Sequence, residues 1–161
     1  MDRIAFQQAK TFIFRDIRRE IQLANVSARD ESKALLVRAG IEPGGGNFLS
    51  ALGLLCYTEF GGKLKYNCKH ASENFNRFFD DLGSSYKAFR TAGHNVYDIF
   101  RCGLAHEYYV KQTCTIAMLG TNTPVGIFVH SDGRYWFVVE KYCDDLEWAF
   151  DALESYLYPN G

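Results

Sequence analysis

Apolar residues recur at helical intervals through most of the first hundred positions. From Asp2, a candidate N-cap, Phe6, Ala9, Ile13, Ile17 and Ile21 or Ala24 follow three to four residues apart, which predicts one long amphipathic helix. Ser27 and Asp30 form a capping box for a second helix through Leu35, Leu36 and Ala39, closed by Gly40, unless the two helices are continuous. Pro43-Gly44-Gly45-Gly46 breaks the chain, and Asn47 is placed to cap a strongly apolar helix, FLSALGLLCYTEF, that ends at Gly61-Gly62. Ser72 caps a helix through Phe75, Phe78, Phe79 and Leu82, stopped by Gly83, and a short helix over 84–90 leads to Gly93. Asn95 caps a further helix, with Asp98 where a capping carboxylate belongs.

Beyond Lys111 the period changes. Residues 113–119, 125–130 and 134–139 are β-branched and aromatic, and Ser131-Asp132-Gly133 supplies a tight hairpin turn between the last two, so a small antiparallel sheet is expected. A final helix over 143–158 carries Leu146, Ala149, Phe150, Leu153 and Leu157 as one apolar stripe opposite its acids. The fold class is therefore mainly α: a single domain with a helical body over 2–111, a β-hairpin insert over 113–139 and a C-terminal helix over 143–158.

With 161 residues, 47% apolar and 16% aromatic, the chain has ample material for one core. The charged N-terminal stretch lacks the apolar run of a signal peptide and no segment reaches 18 apolar residues, so the expectation is a cytoplasmic protein with no membrane contact. Five cysteines at irregular gaps, without a Cys-x-x-Cys pair, suit reduced thiols in a core. Charge is uneven: residues 140–161 hold six acids against Lys141, net −5, which leaves +4 on residues 1–139 of a chain whose total is −1. Arg15, Arg18 and Arg19 are the densest basic group, interleaved with Asp16 and Glu20 as on a solvated helix face. The triple glycine lacks the Gly-Lys-Ser/Thr of a phosphate loop and is read as a connection.

Chemistry concentrates in Tyr97-Asp98-Ile99-Phe100-Arg101-Cys102-Gly103-Leu104-Ala105-His106-Glu107-Tyr108. On an α-helix each residue advances about 100°, so Arg101 and His106 stand about 140° apart and converge only by side-chain reach, a distorted helix or a second molecule. Asp98, Cys102 and His106 form a stripe at spacings of four. An arginine and a histidine together suit cleavage of a ribose-phosphate backbone without a metal or other cofactor: imidazole moves a proton near neutral pH and guanidinium holds the phosphate charge. The plain structural alternative pairs Arg101 with Asp98, leaves His106 near a helix end and packs Tyr108 in the core. A Cys102–His106 nucleophile lacks an oxyanion loop, and His94, Asp98, Cys102 and His106 sweep about 120°, too far for a metal site unaided. His70 and His130 read as surface residues, Lys111 as a helix-end charge, and Tyr135-Trp136-Phe137 as a packed sheet face.

The run from Arg101 to Tyr108 resembles the Arg-x(4–6)-His signature of the HEPN superfamily, in the Arg-x-x-x-x-His-x-Tyr form of toxins paired with nucleotidyltransferase antitoxins. The resemblance implies an up-and-down helical bundle and a homodimer whose motif helices meet in a metal-independent endoribonuclease cleft. It also implies that Arg101 holds the scissile phosphate, that His106 transfers protons, and that Tyr108 is the tyrosine a partner nucleotidyltransferase adenylylates. RNA, a second copy and such an antitoxin are the implied partners, in a stress, defence or toxin–antitoxin setting. Two features depart from the pattern: Cys102 stands where a polar residue usually follows the arginine, and the sheet is an addition to the minimal bundle. A non-catalytic module that binds a protein or small ligand in the same groove is the competing expectation.

Overall fold

Phe150 sits at the centre of the core, with the rings of Phe6, Phe14, Phe60 and Phe78 at 6.1, 5.6, 6.4 and 5.6 Å from its own. In the computed structural model, which describes residues 1–27, 30–41, 45–107, 110–118 and 123–159, those rings come from three helices gathered around a fourth. The helices are α1 (Arg3–Ser27), α2 (Asp30–Arg38), α3 (Asn47–Tyr66), α4 (Ala71–Asp81), α5 (Ser84–Thr91), a π-helix π1 (Tyr97–Glu107) and α6 (Val139–Leu157). A three-stranded sheet, β1 (Cys114–Ala117), β2 (Ile127–Val129) and β3 (Tyr135–Val138), stands between π1 and α6. The chain is thus mainly helical with a small sheet before the last helix, as the periodicity predicts. No helix among the described residues is long and apolar enough to cross a membrane.

Local chemistry sets most boundaries. Asp2 Oδ1 accepts the Ala5 N–H at 2.8 Å, the expected cap of α1, whose Phe6, Ile13, Ile17, Ile21 and Ala24 are buried. Asn47 begins α3 without capping it; Gly46, in the left-handed region at φ 78°, holds the cap position, and Asn47 Nδ2 donates to the Ile116 carbonyl at 3.0 Å, tying α3 to β1. The capping pair Ser27/Asp30 and the residues Pro43-Gly44 involve positions outside the described residues. Helix α4 begins one residue before Ser72, with His70 at its cap position.

The expectation that Gly61-Gly62 ends α3 is corrected: the helix runs on to Tyr66 and stops at Asn67, at φ 51°. Both glycines are buried where α4 crosses. A Cβ on Gly62 would lie 2.0 Å from the Asn74 carbonyl oxygen, and one on Gly61 would lie 2.4 Å from the Phe78 ring. The pair permits backbone approach at a crossing rather than breaking the helix.

The sheet is mixed, in the order β1-β3-β2. The antiparallel hairpin forms as expected, with Ile127 opposite Phe137, and its turn closes through the Gly133 N–H to the His130 carbonyl at 2.9 Å. Strand β1, however, joins the other edge of β3 in parallel, Ile116 opposite Phe137. This replaces the all-antiparallel arrangement that alternation alone suggests. Helix α6 starts at Val139, directly from β3 and earlier than the predicted 143, and its first turn buries Val139, Tyr142 and Cys143.

The uneven charge of the sequence is resolved within the fold. Arg18 of α1 is engaged by Asp144 and Glu147 of α6, and Lys10 by Asp151 and Glu154. Acidic α6 therefore lies along the basic side of α1, while Arg15 and Arg19 contact the neighbouring Asp16 and Glu20. All five cysteines are free thiols.

Candidate functional site

The motif segment begins as the sequence suggests, with Asn95 Oδ1 accepting the Asp98 N–H at 3.2 Å, and the Ile99 N–H still reaches back four residues to the Asn95 carbonyl. From Tyr97 to Glu107 it then winds as a π-helix, with Ile99, Phe100, Gly103 and Leu104 directed inward. Bonding five residues back widens the turn to about 4.4 residues, roughly 80° per residue. Arg101 and His106 consequently stand about 50° apart in place of the 140° of an α-helix. Of the three routes to convergence, the distorted helix is present, and ideal π geometry narrows the angle between the two positions.

The two side chains have different surroundings. His106 is exposed, with Ala105 and Glu107 on either side also exposed. Arg101 is four-fifths buried: its Nε lies 2.9 Å from Glu59 Oε2 of α3, and its guanidinium carbon lies 5.8 Å from the Tyr97 ring centre. Neither Nε nor Oε2 makes a hydrogen bond although both are buried, so the contact is an ion pair without hydrogen-bond alignment. The alternative pairing of Arg101 with Asp98 is not formed. Asp98 instead accepts from Lys111 Nζ at 2.8 Å, while the Lys111 N–H returns to the Ile99 carbonyl at 3.2 Å and brings that lysine beside the helix.

Around the ion pair lie two thiols and a phenol. Burial pushes the Cys56 thiol up, with Arg101 pulling it down and Glu59 pushing it up further. Burial also raises the Tyr97 phenol; Glu59 reinforces that rise, Arg101 opposes it, and a hydrogen bond with half-buried Cys102 adds to it. Tyr108 lies outside the described residues. His94 joins the packing elsewhere, its Nδ1 2.9 Å from Tyr135 Oη and its ring stacked on Phe89 at 4.3 Å. Among the described residues no three His, Cys, Asp or Glu side chains are grouped to hold a metal ion.

Glu59, Cys56 and Tyr97 are the site members that spacing within the motif does not find. One signal was present: Glu59 is the only charge in α3 before Lys63, and a lone carboxylate in so apolar a helix needs a counter-ion. Tyr135 and Phe137 pack inward as expected of a sheet face, and Trp136 lies opposite, against Phe128 and His130. No family model, curated protein or solved structure matches the chain.

Proposed function

We propose that this chain is a HEPN-like domain acting on the ribose-phosphate backbone of RNA as a metal-independent endoribonuclease, through Arg101 and His106. The observation that carries the reading is the winding of π1, which turns the two side chains to nearly one side of a single helix. His106, open to solvent, moves a proton onto or off an oxygen near neutral pH. Arg101 holds the charge that develops on the phosphate. Glu59 pairs with it at Nε as an ion pair, and the two outer nitrogens would make the bidentate grip on phosphate. The cytoplasmic setting, the role in stress, defence or a toxin–antitoxin pair, and adenylylation of Tyr108 by a nucleotidyltransferase partner extend the same proposal and rest on the motif. So does a dimer with a composite cleft, although each chain already carries the complete pair on π1.

One observation favours a second reading, a non-catalytic module that binds a protein or small ligand at this surface. Glu59 offsets the positive charge that phosphate recognition requires, and Asp98 does the same for Lys111. The deciding experiment is cleavage of total RNA in EDTA by the wild type, Arg101→Ala and His106→Ala, matched for folding and association state. Cleavage by the wild type that both variants lose supports the nuclease. Cleavage indifferent to His106→Ala refutes it, and a wild type that cuts no RNA moves the assignment to the binding module.

A further inference from the structure

Helices α1 and α3 leave a cavity of about 260 Å³ between them, lined by residues that the Arg101–Glu59 site does not use. Its α1 wall is charged: Asp16, Arg19 and Glu20 stand at i, i+3 and i+4 on one side of that helix, beside the buried Ile17. Its α3 wall is apolar, made by Leu49, Gly53 and the Tyr57 ring. Gly53 sets the floor, where an added Cβ would lie 3.2 Å from Ile17 Cδ1 and 3.6 Å from Tyr57 Cε2.

Two observations point to a ligand. Ser50 also lines the cavity, is fully buried, and its Oγ makes no hydrogen bond. A buried hydroxyl left in that state is uncommon and costs stability until something supplies a partner. The charges of the α1 wall, in turn, are held only by their sequence neighbours, Asp16 by Arg15 at 3.2 Å and Glu20 by Arg19 at 3.3 Å. Exposed pairs of this kind are weak, so a ligand with better-placed charges displaces them readily. Burial raises the Tyr57 phenol and the Asp16 charge raises it further, so the phenol stays protonated near that carboxylate.

We propose that this cavity binds a free α-amino acid with an aliphatic side chain of about leucine's size. Such a zwitterion matches the wall of mixed charge, its ammonium toward Asp16 and Glu20 and its carboxylate toward Arg19, whose guanidinium grips a carboxylate through two nitrogens. The side chain covers Ile17, Leu49, Gly53 and Tyr57, and a polar atom of the ligand partners the Ser50 hydroxyl. A simple cation leaves Arg19 unanswered, a simple anion meets two carboxylates, and an apolar body alone leaves Ser50 orphaned. For a ligand this small the Kd is on the order of 1 mM. The proposal does not rest on the Arg101–His106 reading.

Titration of isotope-labelled protein with L-leucine, followed through amide chemical shifts, tests it. Saturable shifts centred on Ser50 and Gly53 are expected. Leucinamide, isocaproate and glycine each lack one part of the match, the carboxylate, the ammonium and the side chain respectively, and each should bind about tenfold more weakly. Arg19→Gln should weaken leucine about tenfold and leave leucinamide unchanged, whereas Asp16→Asn should weaken leucine and leave isocaproate unchanged. Both replaced side chains are exposed, and unmoved peaks over the rest of the spectrum verify the fold of each variant. Absence of saturable shifts, shifts centred on another surface, truncated compounds that bind as well as leucine, or variants that bind leucine as tightly as wild type would each overturn the assignment.

Discussion

Replacing Glu59 by Gln keeps the shape of the α3–π1 contact and removes the charge facing Arg101. Two unit charges about 4 Å apart interact by roughly 4 kcal/mol at an effective dielectric of about 20. Desolvation of two largely buried groups offsets much of that, and the absent hydrogen-bond alignment removes the directional part. A net coupling of about 1–2 kcal/mol remains. Glu59→Gln should therefore cost about 2 kcal/mol by leaving a guanidinium four-fifths buried without its counter-ion, and Arg101→Met should cost a similar amount. The double replacement should cost clearly less than the two together. Urea unfolding of the four proteins at constant m supplies the cycle. The Cys56 thiol gives an independent electrostatic readout, because Arg101 lowers it and Glu59 raises it. Peptide-resolved alkylation of Cys56 against pH should shift to lower pH in Glu59→Gln and to higher pH in Arg101→Met. Additivity within about 0.5 kcal/mol, or a Cys56 profile displaced in the same direction by both, would refute the buried ion pair.

Gly62→Ala tests the helix crossing by its sign: propensity favours alanine by about 1 kcal/mol, but the overlap with the Asn74 carbonyl should give a net loss of about 2 kcal/mol and a fall in Tm of roughly 4–8 °C. A raised denaturation midpoint would show that α4 does not lie against that glycine. Hydrogen bonds from Lys10 first and Gln7 second hold the Glu154 carboxyl below its ordinary 4.5, so its contribution is present above that pH and is lost as pH falls through the lowered value. Lys10→Ala should flatten that acid limb of stability against pH, and an unchanged limb would mean that the α1–α6 contact does not hold this carboxylate. Burial pushes the Cys114 and Cys143 thiols up to about 12, so both should resist alkylation of the native protein at pH 8 and react on unfolding, as peptide mass spectrometry would read.

Strong local patterns translated directly into structure. The three- to four-residue spacing of Phe6, Ile13, Ile17 and Ile21 became the buried side of α1, the Leu146–Leu157 stripe became that of α6, and Ser131-Asp132-Gly133 became a hairpin turn. What escaped reading depended on distant neighbours. Gly61-Gly62 looks like a stop until α4 is known to cross there, and the parallel seat of β1 depends on which edge of β3 is left open. The site was half legible: Arg101, His106 and the Asn95 cap were visible in the motif, but Glu59 lies on another helix, and the angle between arginine and histidine followed from a winding that the residue types do not announce.

The π-winding changes what a substitution in the motif can do. Eleven residues at roughly 80° turn through about half a revolution less than the same residues at 100°. A change that merely restores tight winding, such as Gly103→Ala or deletion of one inward residue, would swing His106 away from Arg101 while leaving both residues in place. Whether two side chains are partners here is set by helical pitch as much as by identity. Two homologues with identical motif letters can thus differ in chemistry, and a relative whose motif letters have drifted can keep it if its helix stays wide.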